Sequence, residues 1–250
     1  MTRRIAMWSG PRNISTAMMR SWENRPDCSV VDEPFYACYL QETGLEHPCR
    51  AAILDAQSGS RDAVVAQLTR AEAGSPLQYQ KHMTHHMPRG LDMQWCAGLV
   101  HCFLIRDPAE VIASYLQKMP DVSEDAIGIV RQAELFEEIS TVTGSPPLVV
   151  DSADILRDPA SLLEQLCAQL GVDWLPESML QWPAGRRDSD GVWASHWYQS
   201  VEASTGFARY RPKEIALSGE HRALADAMAP HYQALARHRL QADVQTAGVC

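Results

Sequence analysis

Short apolar runs alternate with longer amphipathic segments along this chain. Five runs read as strands: Arg4 to Trp8, Ser29 to Val31, Leu77 to Lys81, Leu99 to Ile105 and Leu148 to Val150. Between most of them the apolar positions take a helical period. From Ser123 to Thr143, Ala126, Ile129, Val130, Ala133, Phe136 and Ile139 recur at three- and four-residue steps, interrupted by Glu134, Glu137 and Glu138. That spacing predicts one helix with its apolar stripe on a sheet. A second helix is predicted from Pro159 to Leu170, with Pro in its first turn and Gly171 as a stop. A third runs from about Ser218 to Arg239, and the residues after it read as a frayed tail. Strands alternating with helices imply a parallel sheet whose ligand site lies at the carboxyl ends of the strands. The expected fold is therefore α/β. Ala37 to Ser60 has no clear periodicity and reads as a substrate-facing insertion.

Composition narrows the picture. With 250 residues, 46% of them hydrophobic, and no linker-like tract, one domain with a substantial core is expected. The formal net charge of -9, without a Lys/Arg run, argues against a nucleic-acid partner or an anionic membrane surface. No apolar run reaches the roughly 20 residues that span a bilayer, and a cytoplasmic setting is expected. The seven cysteines are scattered and form no C-x-x-C pair, which reads as reduced thiols. The oligomeric state is not legible.

Two polar segments about ninety residues apart carry the candidate chemistry. Ser9-Gly10-Pro11-Arg12-Asn13-Ile14-Ser15-Thr16 follows the first strand and opens a helix, so backbone N–H groups and the helix dipole can meet an anion there. Arg12, Ser15 and Thr16 add side-chain donors. It is not a Walker A loop, because Ser15 and Thr16 stand where Gly and Lys are required. The second segment is Arg106-Asp107-Pro108-Ala109-Glu110-Val111-Ile112-Ala113-Ser114. Arg106 ends a strand and Ser114 falls two turns into the next helix, which lets guanidinium and hydroxyl converge on one phosphate. The same residues also read as a strand-to-helix turn with Asp107 as cap and Pro108 in the first turn.

These segments resemble the two nucleotide motifs of the sulfotransferases that use 3′-phosphoadenosine 5′-phosphosulfate (PAPS). Ser9 to Thr16 resembles their 5′-phosphosulfate loop, and Arg106 to Ser114 their 3′-phosphate motif with its Arg-to-Ser spacing. Asp154-Ile155-Leu156-Arg157-Asp158-Pro159, with Leu170-Gly171-Val172, is similar to a third, architectural stretch. The resemblance implies a P-loop NTPase-like three-layer α/β/α fold with a central parallel sheet of about five strands. It implies one domain over 1–250, with a core at about 4–172 and a covering region and helix at 173–240. It further implies sulfuryl transfer from PAPS to a small-molecule hydroxyl or amine, without a metal.

Residue by residue, the resemblance assigns Arg12, Asn13, Ser15 and Thr16 to the 5′-phosphate end of the donor, and Arg106 and Ser114 to its 3′-phosphate. Ile14 takes the place of the family's Gly. A β-branched residue resists positive φ, so the loop is expected to turn differently here or not to need that conformation. Arg12 and Lys81 would stabilise the leaving 5′-phosphate. Glu33, after the second strand, resembles the glutamate base of bacterial relatives. His82 and His85 are the alternative bases, Met83 standing where the family's Lys-Thr-His segment has its His. His82, His85 and His86 also read as a metal cluster, a weaker reading without a Cys, carboxylate or helical spacing. Arg209 and Arg211 are candidates to join the 3′-phosphate site. Trp193 or Trp197 would line the acceptor pocket or stack on adenine, or else form a packed aromatic cluster. Two other functions fit parts of the chain: a small-molecule kinase using Asp32 or Asp151 for Mg²⁺, and a non-catalytic nucleotide-binding protein.

Overall fold

The computed structural model describes residues 2–70, 74–119, 121–212 and 214–241. Of the sequence-read tail, residues 242–250, Cys250 included, lie outside the described residues, while Leu240 is held by donating its backbone N–H to the Val149 carbonyl at 2.8 Å. Five strands form the sheet: β1 (Arg3–Ser9), β2 (Cys28–Asp32), β3 (Leu77–Met83), β4 (Val100–Ile105) and β5 (Leu148–Asp151). All are parallel, in the order β2-β3-β1-β4-β5. Each contains one of the runs read from the sequence, or, for β4, all but its first residue.

Strand parity sorts the side chains into two layers. On β1, Ile5 and Met7 join Leu77, Tyr79, Cys102 and Leu104 in one core, while Ala6 and Trp8 join Phe103, Ile105 and Val149 in the other. Helices cover both faces, as a parallel sheet requires. The first core takes Met18, Met19 and Trp22 from α1 (Ser15–Glu23), and part of α2 (Tyr36–Thr43). After α3 (Arg50–Ala56) comes α4 (Arg61–Arg70), which gives Val64 and Leu68 to the second core. Both Trp8 and Trp22 are fully buried, sites where truncation to Ala costs about 3–5 kcal/mol. The segment without periodicity thus forms two short helices.

Beyond β4 lie α5 (Pro108–Tyr115), α6 (Glu124–Ile127) and α7 (Ile129–Thr143). The single helix expected from Ser123 to Thr143 is divided at Gly128, whose φ of 69° breaks the helical path. A Cβ at Gly128 would lie 3.0 Å from Thr84 Oγ1 and 3.2 Å from His85 Cβ, so the glycine also permits the close approach of α7 to the end of β3. Next come α8 (Ser152–Arg157), α9 (Pro159–Leu170), α10 (Pro176–Met179), α11 (Ala194–Trp197), α12 (Gln199–Glu202) and α13 (Gly219–Ala236). Helix α9 spans the predicted residues, ending at Gly171 with φ 62°. Helix α13 packs on α7 and α5 and closes the second face. None of the described helices is long and apolar enough to cross a membrane.

Candidate active site

The carboxyl ends of β1, β2, β3 and β4 open into a cleft of about 320 Å³. Its floor is the loop from β1 to α1. Gly10 lies so close to Ile127 that a Cβ would stand 2.7 Å from that carbonyl oxygen. Arg12 and Ile14 both take left-handed backbone, with φ of 58° and 43°. The expectation for Ile14 is therefore overturned: it adopts the conformation that glycine favours. Each such residue costs about 1–2 kcal/mol, so tertiary contacts must hold the loop. Asn13 Nδ2 donates to the Leu104 carbonyl at 2.5 Å, and Arg106 Nη1 donates to the Arg12 carbonyl at 2.6 Å. Helix α1 begins without a side-chain cap or an acidic residue in its first turn, leaving its first N–H groups for an anion. Ser15 and Thr16 line the cleft at that end.

Arg106 immediately follows β4. Asp107 caps α5 by accepting from Ala109 N at 2.9 Å and Glu110 N at 3.2 Å, with Pro108 in the first turn. The turn reading therefore holds, and it leaves Arg106 and Ser114 bordering the cleft. Glu110 pairs with Arg106 Nε at 2.9 Å, and Ser114, two turns on, accepts from Arg12 Nε at 3.0 Å. Among the described residues no hydrogen bond engages Arg12 Nη1 or Nη2, or Arg106 Nη2. Burial, and then the proximity of Arg106, push the Arg12 guanidinium below its ordinary pKa. Two partly buried guanidiniums facing one carboxylate leave a local positive excess that an anion would relieve.

Opposite this basic end, Lys81 of β3 meets both carboxylates at the end of β2. Its Nζ donates to Asp32 Oδ1 at 2.9 Å, Glu33 Oε1 at 2.5 Å and the Tyr198 hydroxyl at 2.7 Å. All four residues are buried. Glu33 sits just past β2 with φ 42°, a turn that aims its side chain back at β3. Burial raises the Glu33 carboxyl above the usual range, Lys81 lowers it, and Asp32 raises it again; the net direction is upward. For Lys81 the two carboxylates outweigh desolvation and hold the ammonium well above its ordinary value.

The outer wall is aromatic. Tyr36 and His47, paired at 2.5 Å, line the cleft with Met83, His85, Tyr115 and Trp197. His47 falls within the segment expected to face substrate, Ala37 to Ser60, and Tyr36 immediately precedes it. Trp197 reaches the cleft, whereas Trp193 is core and donates its Nε1 to Tyr198 at 3.1 Å.

Arg12, Asn13, Ser15, Thr16, Glu33, Lys81, His85, Arg106 and Ser114 therefore share one cleft. His82 does not. Alternation along β3 turns it to the opposite sheet face, where its ring stacks on Trp8 at 4.4 Å and its Nε2 meets Gln80 Oε1 at 3.1 Å. Burial pushes its pKa down to about 3, and as a base it is displaced. His85 reaches the cleft, but burial lowers it to about 3 as well, making it a weak proton acceptor. Arg209 and Arg211 are exposed and do not line the cleft; their segment reaches it through Ser204, Gly206 and Ala208. Asp151 is likewise elsewhere, capping α8 and accepting from Tyr232 at 2.7 Å. Among the described residues no group of three or more His, Cys, Asp or Glu side chains is placed to hold a metal. Sequence reasoning missed Asp32 and Tyr198 as partners of Lys81. Their only signal was the strand-end position of Asp32 and the aromatic stretch around Tyr198.

A family model described as sulfotransferase domain matches residues 3–239. The chain belongs to the sulfotransferase domain family of transferases. Two Arabidopsis thaliana proteins align with it: branched-chain-amino-acid aminotransferase-like protein 1, 34% identical over 236 residues, and protein 2, 30% identical over 234. Each alignment covers 94% of this chain but 42% and 41% of those proteins, so the chain spans about two fifths of the curated relatives it matches. The sulfotransferase from Alicyclobacillus acidocaldarius superposes with a TM-score of 0.54 at 12% identity, over 96% of this chain and 98% of that one. Mouse sulfotransferase SULT7A1, complexed with PAP, gives 0.50 at 11% identity over 94% and 89%. At these identities the likeness is one of fold, and it agrees with the P-loop-like three-layer architecture.

Proposed function

We propose that this protein transfers a sulfuryl group from PAPS to a hydroxyl or amine of a small-molecule acceptor. The observation that carries the reading is convergence: the uncapped start of α1, the open donors of Arg12 and Arg106, and the Lys81–Glu33 pair border one cleft. These donors suit an anion with phosphates at two separate points, which is the character of the PAPS nucleotide. Arg106 and Ser114 would hold the 3′-phosphate, and Arg12, Asn13, Ser15, Thr16 and the α1 amides the 5′ end. Sulfuryl transfer passes in line through a loose transition state, so positioning and charge stabilisation carry most of the catalysis. Arg12 and Lys81 stabilise the charge that grows on the bridging phosphate oxygen as the S–O bond breaks. Glu33 accepts the acceptor's proton, its raised carboxyl pKa suiting it to a base near neutral pH. Free thiols such as Cys38, Cys96 and Cys102 fit a reducing cytoplasm, which we take as the setting.

Calorimetric titration with adenosine 3′,5′-bisphosphate, AMP and ATP, each with and without Mg²⁺, tests the donor assignment. Selective, metal-independent binding of the bisphosphate is expected, followed by label transfer from radiolabelled PAPS in an acceptor screen. Preference for Mg²⁺-ATP would replace this reading with a kinase, and bisphosphate binding without transfer to any acceptor would favour a binding protein.

A further inference from the structure

Lys81 has three N–H bonds, and all three are in use, on Asp32, Glu33 and Tyr198. The Tyr198 hydroxyl has one proton and two lone pairs, and these are also filled. It accepts from Lys81 and from Trp193 Nε1, and it donates to Asp32, whose Oδ2 lies 2.8 Å away. Asp32 Oδ2 further accepts from Gly191 N at 3.2 Å. Glu33 is attached differently. Only its Oε1 enters the network, and among the described residues no hydrogen bond reaches its Oε2, whose neighbour His86 Nε2 is 4.0 Å away. Three members of the set are locked to one another, and the fourth is held at one atom.

The proposed reaction requires Lys81 to offer an N–H to the departing phosphate oxygen, yet this arrangement leaves none free. We propose that Asp32 and Tyr198 are positioning residues that keep Lys81 in place and protonated, so that proton transfer to Glu33 frees one Lys81 N–H for the leaving group. This rests on the roles of Lys81 and Glu33 given above. The acceptor's O–H or N–H bond breaks and its proton goes to Glu33. A bond forms between the acceptor atom and sulfur while the bond from sulfur to the bridging oxygen breaks, its electron pair staying on the phosphate. Neutral Glu33 no longer holds the ammonium electrostatically, and Lys81 turns one N–H to the new phosphate charge. Asp32 is the anion that remains, without which a buried lysine would tend to lose its proton. Tyr36 and His86 also face Glu33. Burial raises the Tyr36 hydroxyl and lowers His86 well below its ordinary pKa, so neither carries charge near neutrality, and Asp32 is the like charge opposing Glu33.

The test uses Glu33→Gln as a mimic of the protonated state, with Asp32→Asn and Tyr198→Phe as near-isosteric probes. Adenosine 3′,5′-bisphosphate binding reports that each is folded. In Glu33→Gln, ¹⁵N resonance of Lys81 Nζ is expected to remain that of an ammonium at pH 7; a neutral amine there would overturn the proposal. In Asp32→Asn, the infrared band of the Glu33 carboxyl, identified by its absence in Glu33→Gln, is expected to titrate about half a pH unit or more lower. An unmoved titration with intact nucleotide binding would make Asp32 merely structural. In Tyr198→Phe, kcat is expected to fall about tenfold with nucleotide affinity unchanged; unchanged kcat would remove Tyr198 from the scheme. Loss of bisphosphate selectivity in the wild-type protein would instead strike the donor assignment itself.

Discussion

Arg12 Nε donates to Ser114 Oγ at 3.0 Å, joining the loop after β1 to helix α5 across 102 positions of sequence. Both polar segments, Ser9 to Thr16 and Arg106 to Ser114, therefore belong to one wall of the cleft, with Arg106 between them on the Arg12 carbonyl.

From that wall comes a selective prediction. Arg106→Ala should weaken adenosine 3′,5′-bisphosphate by about 1.5–3 kcal/mol, the range of a hydrogen bond to a charged group. AMP, which lacks the 3′-phosphate, should lose much less. Parallel titrations of both ligands decide it, and equal losses would show that Arg106 acts by holding the loop through the Arg12 carbonyl.

Glu33→Gln should leave bisphosphate binding near wild type and slow the chemical step by about 10² or more. Because burial raises the Glu33 carboxyl, the acid limb of the wild-type rate should lie above the ordinary carboxylate value of about 4.3. Rate should rise with pH there, since the proposed mechanism uses the ionised form as the base. A pre-steady-state pH profile measures this, and retained turnover in the variant would pass the role to His85.

Much of this architecture is legible in the chain, and the exceptions have physical causes. Helix α9 is read to the residue because Pro159 and Gly171 mark both ends locally. The division at Gly128 is missed because the apolar stripe continues through it, while the lack of room for a side chain there comes from Thr84 and His85, more than forty positions away. His82 was open to a better reading, since strand parity places neighbours Lys81 and His82 on opposite faces. Tyr198 had no such signal: its bond to Asp32 spans 166 positions, and no local pattern predicts that closure.

Stability should depend on acidity through the buried histidines. His82 and His85 have native pKa values lowered to about 3, so between that pH and about 6.5 the unfolded chain binds more protons than the folded one. Unfolding free energy therefore falls as pH is lowered through this window, with a limiting slope of about 1.4 kcal/mol per pH unit for each histidine. His82→Phe, which keeps a ring against Trp8, should reduce that slope in urea unfolding measured from pH 7 to 4. An unchanged slope would mean that His82 titrates in the native protein as it does in the unfolded chain.

Gly128→Ala separates the turn between α6 and α7 from the chemistry. A side chain at φ 69° costs about 1–2 kcal/mol in backbone strain. The new Cβ would also press on Thr84 Oγ1 and on the His85 backbone N, at 3.0 and 3.3 Å. A total loss of about 2–3 kcal/mol in unfolding free energy is expected. Since His85 lines the cleft, on the side that the proposed function gives to the acceptor, any displacement should raise KM for the acceptor while leaving bisphosphate affinity in place. Urea denaturation with nucleotide calorimetry reads both quantities. A variant as stable as wild type would show that the turn accommodates a methyl group and that α7 can withdraw from the end of β3.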